Sequence, residues 1–225
     1  MKKIFYKMNV VAWAGFFCLY LSACKKGDTT YENYVNTIQT YNGSALDYLK
    51  AQPKGTFDSL LLVLNRCRDL SDALANNKVT LFAPVNNSFT SSLKYLNIQR
   101  TANGKKTINL SNADQDELFF MLSKYIIDGD RTSDAYESSL DGVLLKSVVS
   151  SYPMHIKYVK LSSAGYEKGG PTELNFSDPH GSTFISVWTT TTTKAVNIKT
   201  NNATINILSP LHNFGFNEFT LRLDK

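Results

Sequence analysis

Between Val79 and Phe89 the hydrophobic pattern changes its period. Val79, Leu81 and Ala83 alternate with Thr80 and Phe82, the two-residue repeat of a strand. Pro84 has no N–H to give to a ladder and ends that strand. Phe89, Leu93 and Leu96 then recur at i, i+4 and i+7, which predicts a helix. Asn86 is placed to cap it through the N–H groups of Ser88 or Phe89. Upstream, Leu46, Tyr48 and Leu49 predict a short helix capped by Ser44 and broken at Pro53 and Gly55. A second helix is expected from Phe57 to about Arg68 with Thr56 as its cap, and Leu70 to Ala75 adds one further turn.

Downstream, residues 97–110 are polar and predict a connection. Ser111 or Asn112 is expected to cap a helix carrying Leu118, Met121, Leu122 and Tyr125, with Asp114 and Glu117 at its positive end. Period two returns in Gly142–Val149, Met154–Leu161 and Phe184–Thr193, which predict strands. Gly169-Gly170-Pro171 marks a turn. Asn202 to Ser209 predicts a strand that Pro210 stops, and Thr220 to Leu223 a last short one.

The joint at 79–89 resembles the first signature of the fasciclin domain, Thr-Val-Phe-Ala-Pro-Thr-Asn-Glu-Ala-Phe. Thr80, Phe82, Ala83, Pro84, Asn86 and Phe89 match it. Asn202 to Ser209 is similar to the second signature, Asn-Gly-Val-Ile-His-Val-Ile-Asp, through Asn202 and Ile205. Tyr125 and Gly129 fit the Tyr-His region of the family. Both family histidines are missing: Ile126 and Asn206 stand in their places, and Ala203 replaces the signature glycine. The resemblance implies an α+β domain over 44–225, a fasciclin-like β-sheet wedge or sandwich with helices packed on its side and edge. It also implies that the two signature strands are neighbours, so that Leu81 lies near Ile205. The middle, about 130–200, is longer than the family's and predicts an enlarged hairpin or loop. Integrin binding, associated with the Tyr-His region in animal members, is not carried over.

The amino terminus speaks of place. Lys2, Lys3 and Lys7 precede an apolar run from Val10 to Leu21, the layout of a secretory signal. That run is short of the ~20 residues a spanning helix needs. It ends in Leu21-Ser22-Ala23-Cys24, which looks like a bacterial lipobox. The expectation is a lipoprotein signal peptide over 1–23 and a lipidated tether over 24–43. Cys24 is then the lipidation site and the membrane the first partner. Lys25 and Lys26 follow Cys24 directly, with no Asp at the position that would favour inner-membrane retention, so the outer membrane is expected, with its face open. Loss of residues 1–23 removes three lysines and takes the formal charge of +5 down to +2, so nucleic acid is not an expected partner. Cys18 leaves with the signal. Cys67 alone remains unmodified, within an apolar helical stretch, and reads as a small buried hydrophobe.

Candidate chemistry is sparse. His155, His180 and His212 have no second ligand at metal spacing, so no metal and no cofactor is expected. Asp178 and His180 with a serine could be drawn as a hydrolase, but no Gly-x-Ser-x-Gly elbow occurs. Thr189 to Thr193 could offer a flat hydroxyl surface, and Tyr152, Tyr158, Tyr166 and Trp188 an aromatic platform. Solvent-facing strand and half-buried sheet aromatics are the plainer readings of each. The expectation is a non-enzyme: a lipid-anchored adhesion or ligand-binding module of the cell envelope, with an extracellular protein or glycan as ligand and unassigned binding residues. The alternatives are an accessory lipoprotein of an outer-membrane glycan-capture complex, then an envelope hydrolase.

Overall fold

The computed structural model describes residues 38–163 and 167–225. The signal peptide 1–23, Cys24, most of the tether 24–43 and Tyr166 lie outside the described residues. In chain order come β1 (Gln39–Thr40), α1 (Ala45–Ala51), α2 (Asp58–Arg66), α3 (Arg68–Asn76) and β2 (Val79–Ala83). Then follow α4 (Asn86–Ala102), α5 (Gln115–Ser123), β3 (Ile126–Asp128), β4 (Val143–Lys146) and β5 (Pro153–Lys160). β6 (Thr172–Asp178), β7 (Thr189–Lys199), β8 (Ala203–Leu208) and α6 (Phe219–Leu223) complete the chain. Among the described residues no helix is long and apolar enough to cross a membrane.

The strands run β3-β2-β8-β7-β6-β5-β4, and β1 pairs parallel with β7. β2 and β8 are parallel neighbours with Leu81 opposite Ile205, the adjacency the resemblance implied. β2 is buried at every position. Its alternation therefore separates two covered faces rather than core from water. Phe82 stacks on Phe176 of β6 at 4.0 Å, while the Thr80 hydroxyl donates to the Gly129 carbonyl at 2.6 Å. Phe89 stacks on Phe214 at 4.3 Å, and Tyr125 lies against Phe214 and Phe216, so one aromatic cluster ties α4 and the β6 strand to the residues after β8. Asn202 fixes the entry to β8 with its side chain: Oδ1 accepts from the Ala45 N–H, and Nδ2 donates to the Leu74 and Asn77 carbonyls. Ala203 follows without a left-handed backbone, so the signature glycine is not needed there.

Several local expectations are corrected. Asn86 does not cap its own helix. Val85 occupies that place, and Asn86 Oδ1 instead accepts from the Ser59 N–H in the first turn of α2. Thr56 does not cap α2 either; Phe57 precedes it with no side-chain bond, so Asn86 supplies the missing acceptor. Arg68 begins a separate helix, α3, rather than ending α2. α4 continues to Ala102, through much of the predicted connection. The cap of α5 is Asp114, whose Oδ1 accepts from the Asp116 and Glu117 N–H groups. Thr220–Leu223 is helical, not a strand: Phe219 and Leu223 are buried one turn apart, and Arg222 pairs with Glu218 at i,i+4. Ile185–Val187 is a 3-10 turn, so the last long strand starts at Thr189. The enlarged middle is an antiparallel ribbon of β4 to β7. Its strand β6 has no counterpart among the strands that the sequence pattern predicts. Ser44 caps α1 as expected, with Asp47 completing a capping box.

Candidate functional site

The turn after β8 has an uncommon backbone. Gly215, Phe216 and Asn217 take φ values of 84°, 52° and 69°, three left-handed residues in a row. A bulky residue there costs about 1–3 kcal/mol and persists only when its surroundings hold it. Phe216 is fully buried, 5.3 Å from the Tyr125 ring and 4.8 Å from His212, and the Gly215 N–H donates to the Tyr125 hydroxyl at 2.9 Å. The turn brings His212, Asn213 and Asn217 to an open cleft and carries Glu218 into a charged network.

Lys124 is the centre of that network and is fully buried. Its ammonium donates to Asp178 Oδ2 at 2.6 Å and Glu218 Oε2 at 3.1 Å, with the Phe120 and Tyr152 rings within 4.9 Å. The Tyr152 hydroxyl donates to Asp178 Oδ1, and burial together with that carboxylate pushes the phenol up. Arg222 binds both Glu218 and Glu117. Burial opposes ionisation of Glu218, but the Arg222 hydrogen bond and the Lys124 charge outweigh it and hold the carboxyl at about 2. Glu218 Oε1 also meets His180 Nδ1 at 3.0 Å, and His180 Nε2 meets Thr189 Oγ1 at 2.9 Å.

Two chemistries can be tested on this geometry. Asp178, His180 and Glu218 offer ligand atoms within 4.8 Å of one another. A metal ion does not suit them, because the Lys124 ammonium already lies between the two carboxylates and Arg222 neutralises Glu218 further. Thr189, His180 and Glu218 stand in the order hydroxyl, imidazole, carboxylate, the order of a nucleophile relay. The sequence brought Asp178 and His180 together; in the structure Glu218 Oε1 is the nearer partner of the imidazole Nδ1 at 3.0 Å, while Asp178 Oδ2 lies 3.7 Å from it and Asp178 Oδ1 accepts the His180 backbone N–H. Glu218 and Lys124 were not foreseen, since nothing local links positions 124, 178 and 218.

The cleft, about 340 Å³, is lined by Thr189 to Thr192, Ser209, Leu211, His212, Asn213 and Asn217. None carries a charge at neutral pH, because burial drops His212 to about 3. The Tyr125 hydroxyl accepts from Gly215 and lies 2.7 Å from His212 Nε2. Satisfying its own buried hydrogen requires it to donate to Nε2, so the proton of the neutral ring resides on Nδ1. Nδ1 has no partner among the described residues, and Thr192 and Asn217 bring an uncommitted hydroxyl and amide N–H₂ to the same cleft.

The threonine run is thus divided. Thr191 and Thr193 are buried, Thr190 is exposed, and its first four members form one cleft wall. The aromatic platform does not assemble among the described residues. Tyr152 bonds Asp178, Tyr158 meets Thr172, and Trp188 packs on His155, which alternates with Tyr158 on the opposite face of β5. Cys67 is free and buried, as expected, and burial pushes its thiol up.

No protein-family model and no curated protein matches this sequence. Among solved structures, a FAS1 domain pair from the insect cell adhesion molecule fasciclin I is similar at a TM-score of 0.45 and 16% identity. The match covers 70% of this chain and 45% of the other, so this chain spans less than half the length of that structure.

Proposed function

We propose that this chain is a non-catalytic adhesion or ligand-binding module, held at a bacterial cell envelope by lipid on Cys24. The observation that carries the binding reading is the uncharged cleft beside the left-handed turn. Hydroxyls, an amide and the Nδ1–H of a neutral imidazole converge there with no ionic group among them. Such a lining suits a neutral ligand rich in hydroxyl or carbonyl acceptors, a glycan or a stretch of peptide. The glycan-capture role is this same reading with a sugar ligand. The amino-terminal lysines, apolar run and Cys24 support the place.

Binding is tested on a glycan array and by capture from intact cells, comparing wild type with Thr192→Val/Asn217→Gly. Glycine keeps the left-handed backbone at 217 while deleting the amide. The expected result is loss of binding in a folded variant; undiminished binding removes the cleft from the proposal. Labelled palmitate is expected to enter wild type and not Cys24→Ser, and equal labelling refutes the anchor.

The relay of Thr189, His180 and Glu218 supports a second reading, an acyl hydrolase. It ranks lower because Glu218 is already committed to Lys124 and Arg222, and a threonine hydroxyl is a crowded nucleophile. Ester turnover that disappears in His180→Ala would reverse the ranking.

A further inference from the structure

We propose that the end of the sheet closed by the β4–β5 and β6–β7 loops docks on a lipid bilayer, with Phe184, Ile185 and Val187 entering its interfacial layer. Phe184 and Ile185 are each 73% exposed and Val187 54%, all on one short loop around a single 3-10 turn. Large apolar side chains gathered in water on one loop mark a contact surface. From Gly181 to Thr193 the chain carries no charged residue, and neither does Ser147 to Tyr152 in the neighbouring loop, where Val149 is also exposed. The pairings Lys146 with Pro153 and Asp178 with Thr189 close both hairpins at the same end of the ribbon.

Entering a bilayer is costly for charges and favourable for apolar side chains, so a charge-free tip suits lipid better than a charged surface would. Trp188 stands at the base of the tip. Its ring packs 4.8 Å from His155 and its Nε1–H donates to the Ser182 carbonyl, the amphipathic placement suited to the headgroup level. A stable protein interface covers roughly 800 Å² on each partner, far more than three side chains provide.

The direction of the chain agrees. β1 is parallel to β7, with Gln39 opposite Ile198. β7 runs away from the tip, so Ile38 leads into β1 from the tip side. From Ile198 back to Thr189 is about 30 Å at strand rise. The fourteen residue-to-residue steps from Cys24 to Ile38 can extend over roughly 45–50 Å. A lipid on Cys24 and the apolar tip can therefore reach one surface. This last step rests on the anchor proposed above; the exposed tip does not.

The test uses the full chain with Trp13→Phe, which leaves Trp188 as its single tryptophan. It is purified from membranes and reconstituted in phosphatidylcholine vesicles with brominated acyl chains. Trp188 emission is expected to be quenched relative to unbrominated vesicles, and the quenching lost in Phe184→Ser/Ile185→Ser/Val187→Ser. An unchanged melting curve for that variant shows that the fold is kept. Palmitate labelling in parallel separates the two readings. A labelled chain without quenching overturns the docking and leaves the anchor; quenching of an unlabelled chain supports the docking and overturns the anchor. Dimers abolished by the triple substitution, with no quenching, would assign the tip to a second copy and overturn the lipid assignment.

Discussion

Around the parallel seam of β2 and β8 the side chains are mostly apolar and buried, and the polar ones among them make hydroxyl and amide bonds, such as Thr80 to the Gly129 carbonyl and Thr204 to Asp130. At the hairpin end of the ribbon, where Asp178 pairs with Thr189, the contacts are ionic: Lys124, Asp178, Glu218 and Arg222 hold α5, β6 and α6 together. Both regions are joined through one sheet, and both are buried at their centres. They differ in what a substitution leaves behind. Deleting a ring at the seam leaves a void that neighbours can partly fill. Deleting one ion of the network leaves its partner charged, buried and uncompensated. The seam is tolerant of shape and the network is intolerant of stoichiometry.

The largest effects test that distinction. Phe89→Ala should cost about 3–5 kcal/mol, since the ring is fully buried against Phe214. Lys124→Met should cost a similar 3–5 kcal/mol for the other reason, leaving Asp178 without its cation. Denaturant melts of Lys124→Met with Asp178→Asn separate the two mechanisms. The amide oxygen put in place of the Asp178 carboxylate would still accept from Tyr152 and the His180 backbone, so the double variant should lose well under the sum of the singles. Additive losses would mean that Lys124 acts at this position by packing, as Phe89 does at the seam.

The same distinction explains what could be read from the residues alone. The seam was legible because its signals are local: period two from Val79 to Ala83, a proline stop, and a helical stripe from Phe89. The β6 strand was not. Leu174 and Phe176 alternate as a strand should, but the third residue on their face is Asp178, and an acid there looks like the start of a turn. Its partner Lys124 lies fifty-four positions away. The cleft was half legible: the threonine run stood out, while His212 and Asn217 reach it through a left-handed turn whose middle residue is a phenylalanine, which no propensity suggests.

That turn supplies the next prediction. Gly215→Ala meets two penalties, a left-handed φ of 84° and a Cβ that would lie 2.7 Å from Met121 Sδ. The methionine is flexible, so the backbone term governs, and a loss of about 1–3 kcal/mol is expected. The cleft should open with it: loss of ligand binding in Gly215→Ala at temperatures where the fold persists would tie the turn to the site. Unchanged binding would show that His212 and Asn217 are placed by something else.

Acid should weaken the two sides of the turn in separate windows. His212 is neutral in the fold, depressed by burial from 6.5 to about 3, whereas the unfolded chain protonates near 6.5. Its contribution is full above pH 6.5 and is lost as pH falls from 6.5 towards 3. Glu218 is ionised in the fold down to about 2 from a usual 4.5, so its contribution is full above 4.5 and is lost as pH falls from 4.5 towards 2. Urea midpoints between pH 6.5 and 4.5 therefore report His212 without Glu218. His212→Gln should flatten that interval and leave the steeper loss below 4.5; an unchanged slope would place the titrating group elsewhere.

The smallest expected effect is the sharpest test of local reading, because sequence and structure give opposite answers. As a residue before an apolar stripe, Asn86 reads as the cap of α4. In the fold its Oδ1 lies 2.9 Å from the Ser59 N–H, and its own N–H donates to the Thr56 carbonyl, so it closes the first turn of α2 across twenty-seven positions. Asn86→Ala should cost about 1 kcal/mol, the usual value of a lost cap. A melt cannot tell the two helices apart, but amide exchange can. The Ser59 N–H loses its acceptor and should exchange faster, while the Ser88 N–H, bonded to the Val85 carbonyl, should keep its protection. Faster exchange at Ser88 and Phe89 with Ser59 unchanged would return Asn86 to its own helix. The seam would then be governed by neighbours in sequence at every step, and the bond that joins α2 to α4 would have to be sought in the packing of their apolar faces.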